Sequence, residues 1–378
     1  MTRSSSAKSC SQPARGRGLG ASKLAGPRGA LLAFACVLWS VPSFALDSWQ
    51  HTPAELATLA KHAPAALTVP ITTVTDKTVL PPSGDPHDYV SYARYWWPDP
   101  AKPDGLPFVR HDGRHNREQV ARGDRQRIGE FCDTVEQLAA AWHVHRDETA
   151  ARRAGAWLRA WFVTPATRMN PHLDYAQVRL GHDRNRGNPT GLLDSRGFAQ
   201  VVDALRLLDD SPALAHDEKT VIRTWFTAFL HWFTTAPVAL EERAAKNNHG
   251  SWYFAQAIPL ARYTGQDTLA RALMEEARAL IVHQIQPDGS QPEEIRRADG
   301  LGYSVFNLEA LAVAARHAAG LGTDFWAYTA PNGASLRRAV EFLRPYNTAP
   351  ETWPHRQNEK LAPGFLDHLL AEAAANPR

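Results

Sequence analysis

Three stretches of this 378-residue chain place polar, charged and aromatic side chains where neither a plain core nor a solvent face requires them. The first runs from His87, Asp88 and Tyr89 through Tyr92, Arg94, Tyr95, Trp96, Trp97, Pro98 and Asp99, and on through Gly105-Leu106-Pro107-Phe108 to Arg110 and Arg114. An aromatic face stacks on the apolar face of a pyranose, and an arginine fork takes a carboxylate with two hydrogen bonds. Tyr95, Trp96, Trp97 and Arg110 are therefore candidates for holding an acidic sugar. Aromatics in a proline-rich loop also serve simply to glue that loop to the protein body.

The second stretch, Lys246-Asn247-Asn248-His249-Gly250-Ser251-Trp252-Tyr253, falls where one helical pattern ends and the next begins. A helix N-terminus favours a bound anion and disfavours a protonated imidazole, which suits a neutral histidine beside a carboxylate. An Asn-His pair is equally a common cap. The third is a turn-rich loop, Gln286 to Arg297, which carries Asp288, Glu293, Glu294 and Arg296 and leads into Gly302-Tyr303-Ser304-Val305-Phe306-Asn307-Leu308 at a helix start. Alone, Tyr303 with Phe306 and Leu308 reads as a core face. Two weaker clusters, Tyr175, Gln177, Arg179, Asn185, Arg186 and Arg196, and Trp353, His355 and Arg356, fit either sugar subsites or solvated loops. No His-Glu-x-x-His spacing is present, so neither a metal nor a cofactor is expected.

These residues need elements to hold them. A helix is predicted from Ser48 to about Lys61, with Thr52 and Pro53 as cap and first turn and Leu56, Leu59 and Ala60 as its apolar face. From Pro64 to Asn116 prolines, glycines and turn pairs break any 3.6-residue period, which predicts an ordered, aromatic-rich loop system. Beyond Asn116 apolar residues recur at three and four, as in Val135, Leu138, Ala139 and Trp142. Helices are expected near 117–145, 149–162, 196–209, 216–235, 249–264, 267–285, 303–319, 334–345 and 364–376. Strand signals are sparse. Helices joined by short turns form hairpins, which curl into a solenoid or close as an α/α toroid, and no fixed-period repeat supports the solenoid.

An apolar fraction of 44% suits a globular protein with a real core. Residues 1–45 differ in kind: Arg3, Lys8, Arg15, Arg17, Lys23 and Arg28 without any acid, then the apolar run Ala30 to Trp39, then Ser43 and Ala45. That order predicts an export signal cleaved after Ala45, a periplasmic or secreted protein of residues 46–378, and no stable membrane association after cleavage. Six of the 42 basic residues leave with the leader, so 36 basic face 39 acidic residues in the remainder. The pI of 8.8 thus belongs mostly to the leader, and nucleic acid is not an expected partner. Cys132 would be the one cysteine left, in the apolar company of Ile128, Phe131, Val135 and Leu138, and is expected to be core.

The strings Asn-Asn-His-Gly-Ser-Trp-Tyr, Pro-Asp-Gly-Ser-Gln-Pro-x-Glu and Tyr-Ser-x-x-Asn-Leu, preceded by Tyr-Trp-Trp-Pro-Asp-Pro and Gly-Leu-Pro-Phe-Val-Arg-x-Asp-Gly, resemble the alginate lyase domain family from about Pro81 to Trp353. The resemblance implies an all-α fold, an α/α toroid with the irregular N-terminal region packed on it as one domain. It also implies cleavage of alginate or a related polyuronate such as glucuronan by an Asn-His pair, an arginine and a tyrosine. Carried over, these are Asn248, His249, Tyr303 and either Arg297 or Arg296, with Arg297 placed first by its spacing from Glu294.

Elimination from a 4-linked uronate removes a C5 proton α to a carboxylate, so that group must be neutralised as charge grows on it. Asn248 and an arginine supply donors for this. Tyr303, its pKa lowered by the arginine, is expected to act as base and acid together, or His249 as base with Tyr303 as acid for the opposite C5 configuration. Tyr95, Trp96, Trp97, Arg110, Arg296, Tyr175, Gln177, Glu294 and His355 are expected around the sugar chain. Two other functions stay open: a toroidal glycoside hydrolase using carboxylates among Asp288, Glu293, Glu294 and Asp299, and a glycan-binding protein without catalysis.

Overall fold

Thr52 opens the first helix by a reciprocal cap. Its backbone N–H donates to the Glu55 carboxylate at 2.7 Å while its hydroxyl accepts from the Glu55 N–H at 3.3 Å, and Pro53 follows at the first helical position. The structure, a computed structural model, describes residues 49–376, so the leader and its cleavage after Ala45 lie outside the described residues. The helices are α1 Pro53–Ala60, α2 Ala63–Ala66, α3 Arg117–Ala121, α4 Arg125–His145, α5 Glu148–Leu158, α6 Phe198–Leu207, α7 His216–Thr235, α8 Pro237–Arg243, α9 Asn248–Tyr263, α10 Asp267–Gln284, α11 Pro292–Ile295, α12 Gly300–Ala319, α13 Leu336–Leu343 and α14 Asp367–Ala375.

Burial sorts them into layers. α9 buries 14 of its 16 residues, whereas α7 buries six of 20 along one stripe. A helix apolar all round belongs inside, and a one-sided helix closes the outside. α4, α6, α9 and α12 accordingly pack in an inner row, each against the next, with α5, α7 and α10 behind them. The fold is all-α, an α/α toroid. One long outer helix, α5, α7 or α10, lies between each inner helix and the next in chain order, α8 and α11 being short, and Arg196, Asn248 and Tyr303 around one cavity show the N-termini of α6, α9 and α12 at one end.

Two departures from the helical pattern have local causes. The predicted helix over 117–145 breaks before Asp124, because the Asp124 N–H donates to the Val90 carbonyl at 2.7 Å and a Cβ on Gly123 would meet that same oxygen at 2.7 Å. The close passage of residues 90–91 stops the helix. α8 was not expected, since only Ala239 and Glu242 are buried in it and its apolar signal is weak.

The loop system holds four short strands: β1 Val90–Tyr92 pairs in parallel with β4 Tyr175–Val178, and β2 Trp96–Trp97 pairs antiparallel with β3 Val109–Arg110. A fully buried ion pair, Lys77 with Asp124 at 3.2 Å, fastens this system to the start of α4. Lys77 also donates to the Pro86 carbonyl at 2.6 Å, and the Val90 N–H to Asp124 at 3.0 Å. Aromatics fill the core between the helix layers, with Phe131 stacked on Trp161 at 4.5 Å and Trp225 on Phe229 at 5.3 Å. Cys132 is a free, buried thiol whose pKa burial pushes up, as its apolar neighbours predicted. Among the described residues no helix is long and apolar enough to cross a membrane.

Candidate active site

A cavity of about 720 Å³ opens where the N-terminal ends of α6, α9 and α12 meet the aromatic loop system. Asn247 caps α9 by accepting the His249 N–H at 3.1 Å, so Asn248 and His249 occupy the first turn, at the positive end of the helix dipole. Gly250 is required there, because a Cβ would stand 2.2 Å from the Ala245 carbonyl oxygen. Two buried carboxylates stand behind the pair. Glu294 accepts the Asn248 backbone N–H at 2.6 Å and its side-chain amide at 2.7 Å, and Glu242 lies 2.6 Å from His249 Nδ1. Burial raises the pKa of both, against their hydrogen bonds to Asn248 and His249.

Tyr303 sits in the first turn of α12. Its hydroxyl is 2.8 Å from that of Tyr95 and accepts from Arg297 Nη2 at 2.9 Å, while the Arg297 guanidinium lies 3.9 Å from the centre of the Tyr303 ring. The same Nη2 also donates to Asp112 at 3.1 Å, which anchors Arg297. The sequence predicted a lowered phenol pKa. The structure corrects this: burial pushes the Tyr303 phenol well up, the Arg297 charge pulls it down without winning, and the hydrogen bond shared with Tyr95 adds to the rise.

The cavity therefore offers amide, imidazole, guanidinium and phenol groups around one space, a donor-rich set suited to a carboxylate undergoing proton transfer. Residues 73–353 match the alginate lyase family. This chain belongs to that family. It is similar to an alginate lyase from Bacteroides ovatus at 38% identity, with a TM-score of 0.81 over 85% of each chain. Alginate lyase A1-III from a Sphingomonas species shares the fold at 16% identity, with a TM-score of 0.52 over 82% of each chain. A1-III complexed with a tetrasaccharide does so at 16%, with a TM-score of 0.54 over 86% of this chain and 84% of the other. No curated protein sequence matches the chain. As a member of the alginate lyase family the protein is a polysaccharide lyase.

The lyase cavity gathers Asn248, His249, Arg297 and Tyr303 with Tyr95, Trp96, Arg110 and Gln177. Five expected residues stand elsewhere. Arg296 is exposed and pairs with Glu293, because one residue along the turn after α11 it faces solvent where Arg297 faces inward. Glu294 is buried behind Asn248 and does not line the cavity. Trp97 alternates with Trp96 along β2 and so turns away, giving its indole N–H to the Arg114 carbonyl at 3.0 Å. Tyr175 packs with Val90, Tyr92 and Val178. Gln177 escapes that face because its φ of 51° breaks the strand's alternation, and its amide is held by Asp194 at 3.0 Å. His355 stands edge-on to Trp353.

Sequence reasoning missed Gln357, Glu359 and Leu361, which also line the cavity. Asp299 recruits them: its carboxylate accepts the backbone N–H groups of Asn358 at 2.9 Å and Glu359 at 2.7 Å, tying this C-terminal segment to the start of α12. A pairing across some 60 residues leaves no local pattern to read. Arg94, Arg110, Arg179, Arg196 and Arg297 line the cavity against two carboxylates, Asp299 and Glu359. A chain whose residues 46–378 are slightly acidic thus presents a locally cationic cavity.

Proposed function

We propose that this lyase cleaves 4-linked polyuronate, specifically alginate and within it polymannuronate, by β-elimination. The observation that carries the reading is Tyr303 held between Tyr95 and Arg297 in a cationic cavity beside Asn248 and His249. The substrate carboxylate docks against Arg297 and the second amide hydrogen of Asn248, the first being held by Glu294, and these donors stabilise the enediolate charge as the C5 proton leaves. The electron pair of the C5–H bond forms the C4–C5 double bond, the C4–O4 bond breaks, and O4 takes a proton.

The raised pKa keeps the Tyr303 phenol protonated at rest, the form that the histidine route uses to protonate O4, whereas the route on mannuronate starts from the minor phenolate. In mannuronate the C5 proton and O4 leave from one face, so a Tyr303 phenolate, stabilised by Arg297, removes the first and protonates the second. In guluronate they leave from opposite faces, and His249 takes the C5 proton. A hydrolase has less support. Glu294 is engaged with Asn248, Glu293 with Arg296, Asp288 with Ser290 and Asp299 with two backbone N–H groups, so none is free to flank a sugar. We also propose export to the periplasm or medium, a reading supported by the basic-then-apolar order of residues 1–45.

The test mixes purified protein and chelator separately with polymannuronate, polyguluronate and glucuronan and follows ultraviolet absorbance of the unsaturated uronate. A rise on polymannuronate is expected. A rise on glucuronan alone reassigns the substrate, and new reducing ends without absorbance move the protein to the hydrolases.

A further inference from the structure

Glu242 comes from α8, the helix the sequence did not announce, and stands within 2.6 Å of His249 Nδ1 at 2% exposure. A carboxylate so deeply buried is expensive to desolvate, and a cation ordinarily offsets it. No lysine or arginine pairs with Glu242 among the described residues, and His249 is its one ionic partner there. Its placement is also built. Pro237 starts α8, Ala239 is buried beneath it, and Arg243, adjacent to Glu242, is clamped by both carboxylate oxygens of Glu276 on α10. The neighbouring charged groups are Glu241 on the same helix and Glu294, which acts on His249 from the α11 side.

We propose that Glu242 is a positioning residue that holds His249 in one tautomer, with the proton on Nδ1 and the lone pair of Nε2 facing the cavity. The proposal rests on the lyase reading above and deepens it. An ionised carboxylate accepts only, so Nδ1 must donate, and Nε2 is left unprotonated to receive the C5 proton. When it does, the C5–H electrons become the C4–C5 double bond, O4 departs with the C4–O4 pair and takes the Tyr303 proton, and Glu242 faces an imidazolium it stabilises. The reset returns one proton from His249 and one to Tyr303 through solvent. The histidine route is thus the one that depends on Glu242, whereas elimination by Tyr303 alone does not use it.

Glu242→Gln tests this, since the amide keeps the shape, removes the charge and can present either a donor or an acceptor to Nδ1. On polyguluronate kcat is expected to fall roughly 100-fold or more with KM unchanged, by analogy with loss of the acidic partner of a catalytic histidine, and on polymannuronate far less. Nitrogen-15 spectra of labelled histidine, with His249 assigned by His249→Gln, should show Nδ1 protonated in the parent and mixed tautomers in Glu242→Gln. Glu242→Asp should recover part of the kcat. A Glu242→Gln enzyme with parental kcat on polyguluronate overturns the proposal, as does a loss of folding stability with the His249 tautomer unchanged, which marks a merely structural carboxylate. A parent protein inactive on every polyuronate overturns the lyase reading instead, and the tautomer spectra, which need no substrate, still report whether Glu242 holds His249.

Discussion

Tyr303 combines a deeply buried phenol with an arginine at hydrogen-bond distance, and these pull its proton in opposite directions. On the proposed mechanism, Tyr303→Phe removes the group that serves O4 and leaves the carboxylate donors in place. Turnover should fall at least about 100- to 10,000-fold, with binding of alginate oligosaccharide by calorimetry within a few-fold of the parent. A base with a raised pKa is deprotonated in a fraction that grows with pH. kcat/KM on polymannuronate should therefore climb from neutral into alkaline solution, and a flat profile in a pH series would contradict the phenolate step. Arg297 and Arg296, adjacent in sequence, differ in environment: one touches Tyr303, the other pairs with Glu293 in solvent. Arg297→Lys loses the planar fork and should lower kcat roughly 100- to 1,000-fold, whereas Arg296→Ala should change it by less than about threefold, both read from initial rates.

The elements that matter most to the site are held to one another by polar locks. Ser251, Gln284, Gln291, Ser304 and Asn307 are all buried, and Gln284 accepts from both Ser251 at 2.9 Å and Asn307 at 3.1 Å, while Gln291 accepts from Asn307 at 2.8 Å and donates to the Ser304 carbonyl at 3.1 Å. Ser251, Gln291, Ser304 and Asn307, polar members of the family-like strings, thus join with Gln284 to tie α9, α10, α11 and α12 to one another, so the strings encode positioning as much as chemistry. On the other wall, Asp194 gathers Tyr89 at 3.0 Å, Gln177 at 3.0 Å and Arg125 at 3.2 Å beneath the cavity. Lys77 with Asp124 is the comparable lock for the loop system. Lys77→Met removes the buried partner of Asp124 and leaves it only the half-buried Arg127 at 3.3 Å and the Val90 N–H, and should destabilise the fold by roughly 1 to 3 kcal/mol in denaturant titrations.

At the scale of the molecule, alternating inner and outer helices aim three helix N-termini and five arginines at one cavity. Attraction of a polyanion to such a focus is screened by salt. kcat/KM on polymeric substrate should therefore fall steadily as sodium chloride rises, with kcat nearly constant. Insensitivity of kcat/KM in initial-rate measurements would remove the electrostatic focus from the argument.

Periodicity alone placed eight of the nine expected helices to within a few residues, the one over 117–145 breaking into α3 and α4, because a 3.6-residue apolar stripe is written in neighbouring positions. The family-like strings likewise brought out Asn248, His249 and Tyr303, each string lying at a helix start or in a turn where a local pattern survives, whereas between Arg297 and Arg296, which lie outside the strings, the spacing from Glu294 only put Arg297 first. What no local pattern contains is which distant groups meet. Glu242 behind His249, Tyr95 against Tyr303 across 208 positions, and the segment from Gln357 to Leu361 drawn in by Asp299 exist only once the helices have packed. Burial, too, is decided by packing: the sequence placed an arginine beside Tyr303 and predicted a lowered pKa, and the folded surroundings reversed the sign because desolvation of the phenolate outweighs one neighbouring charge.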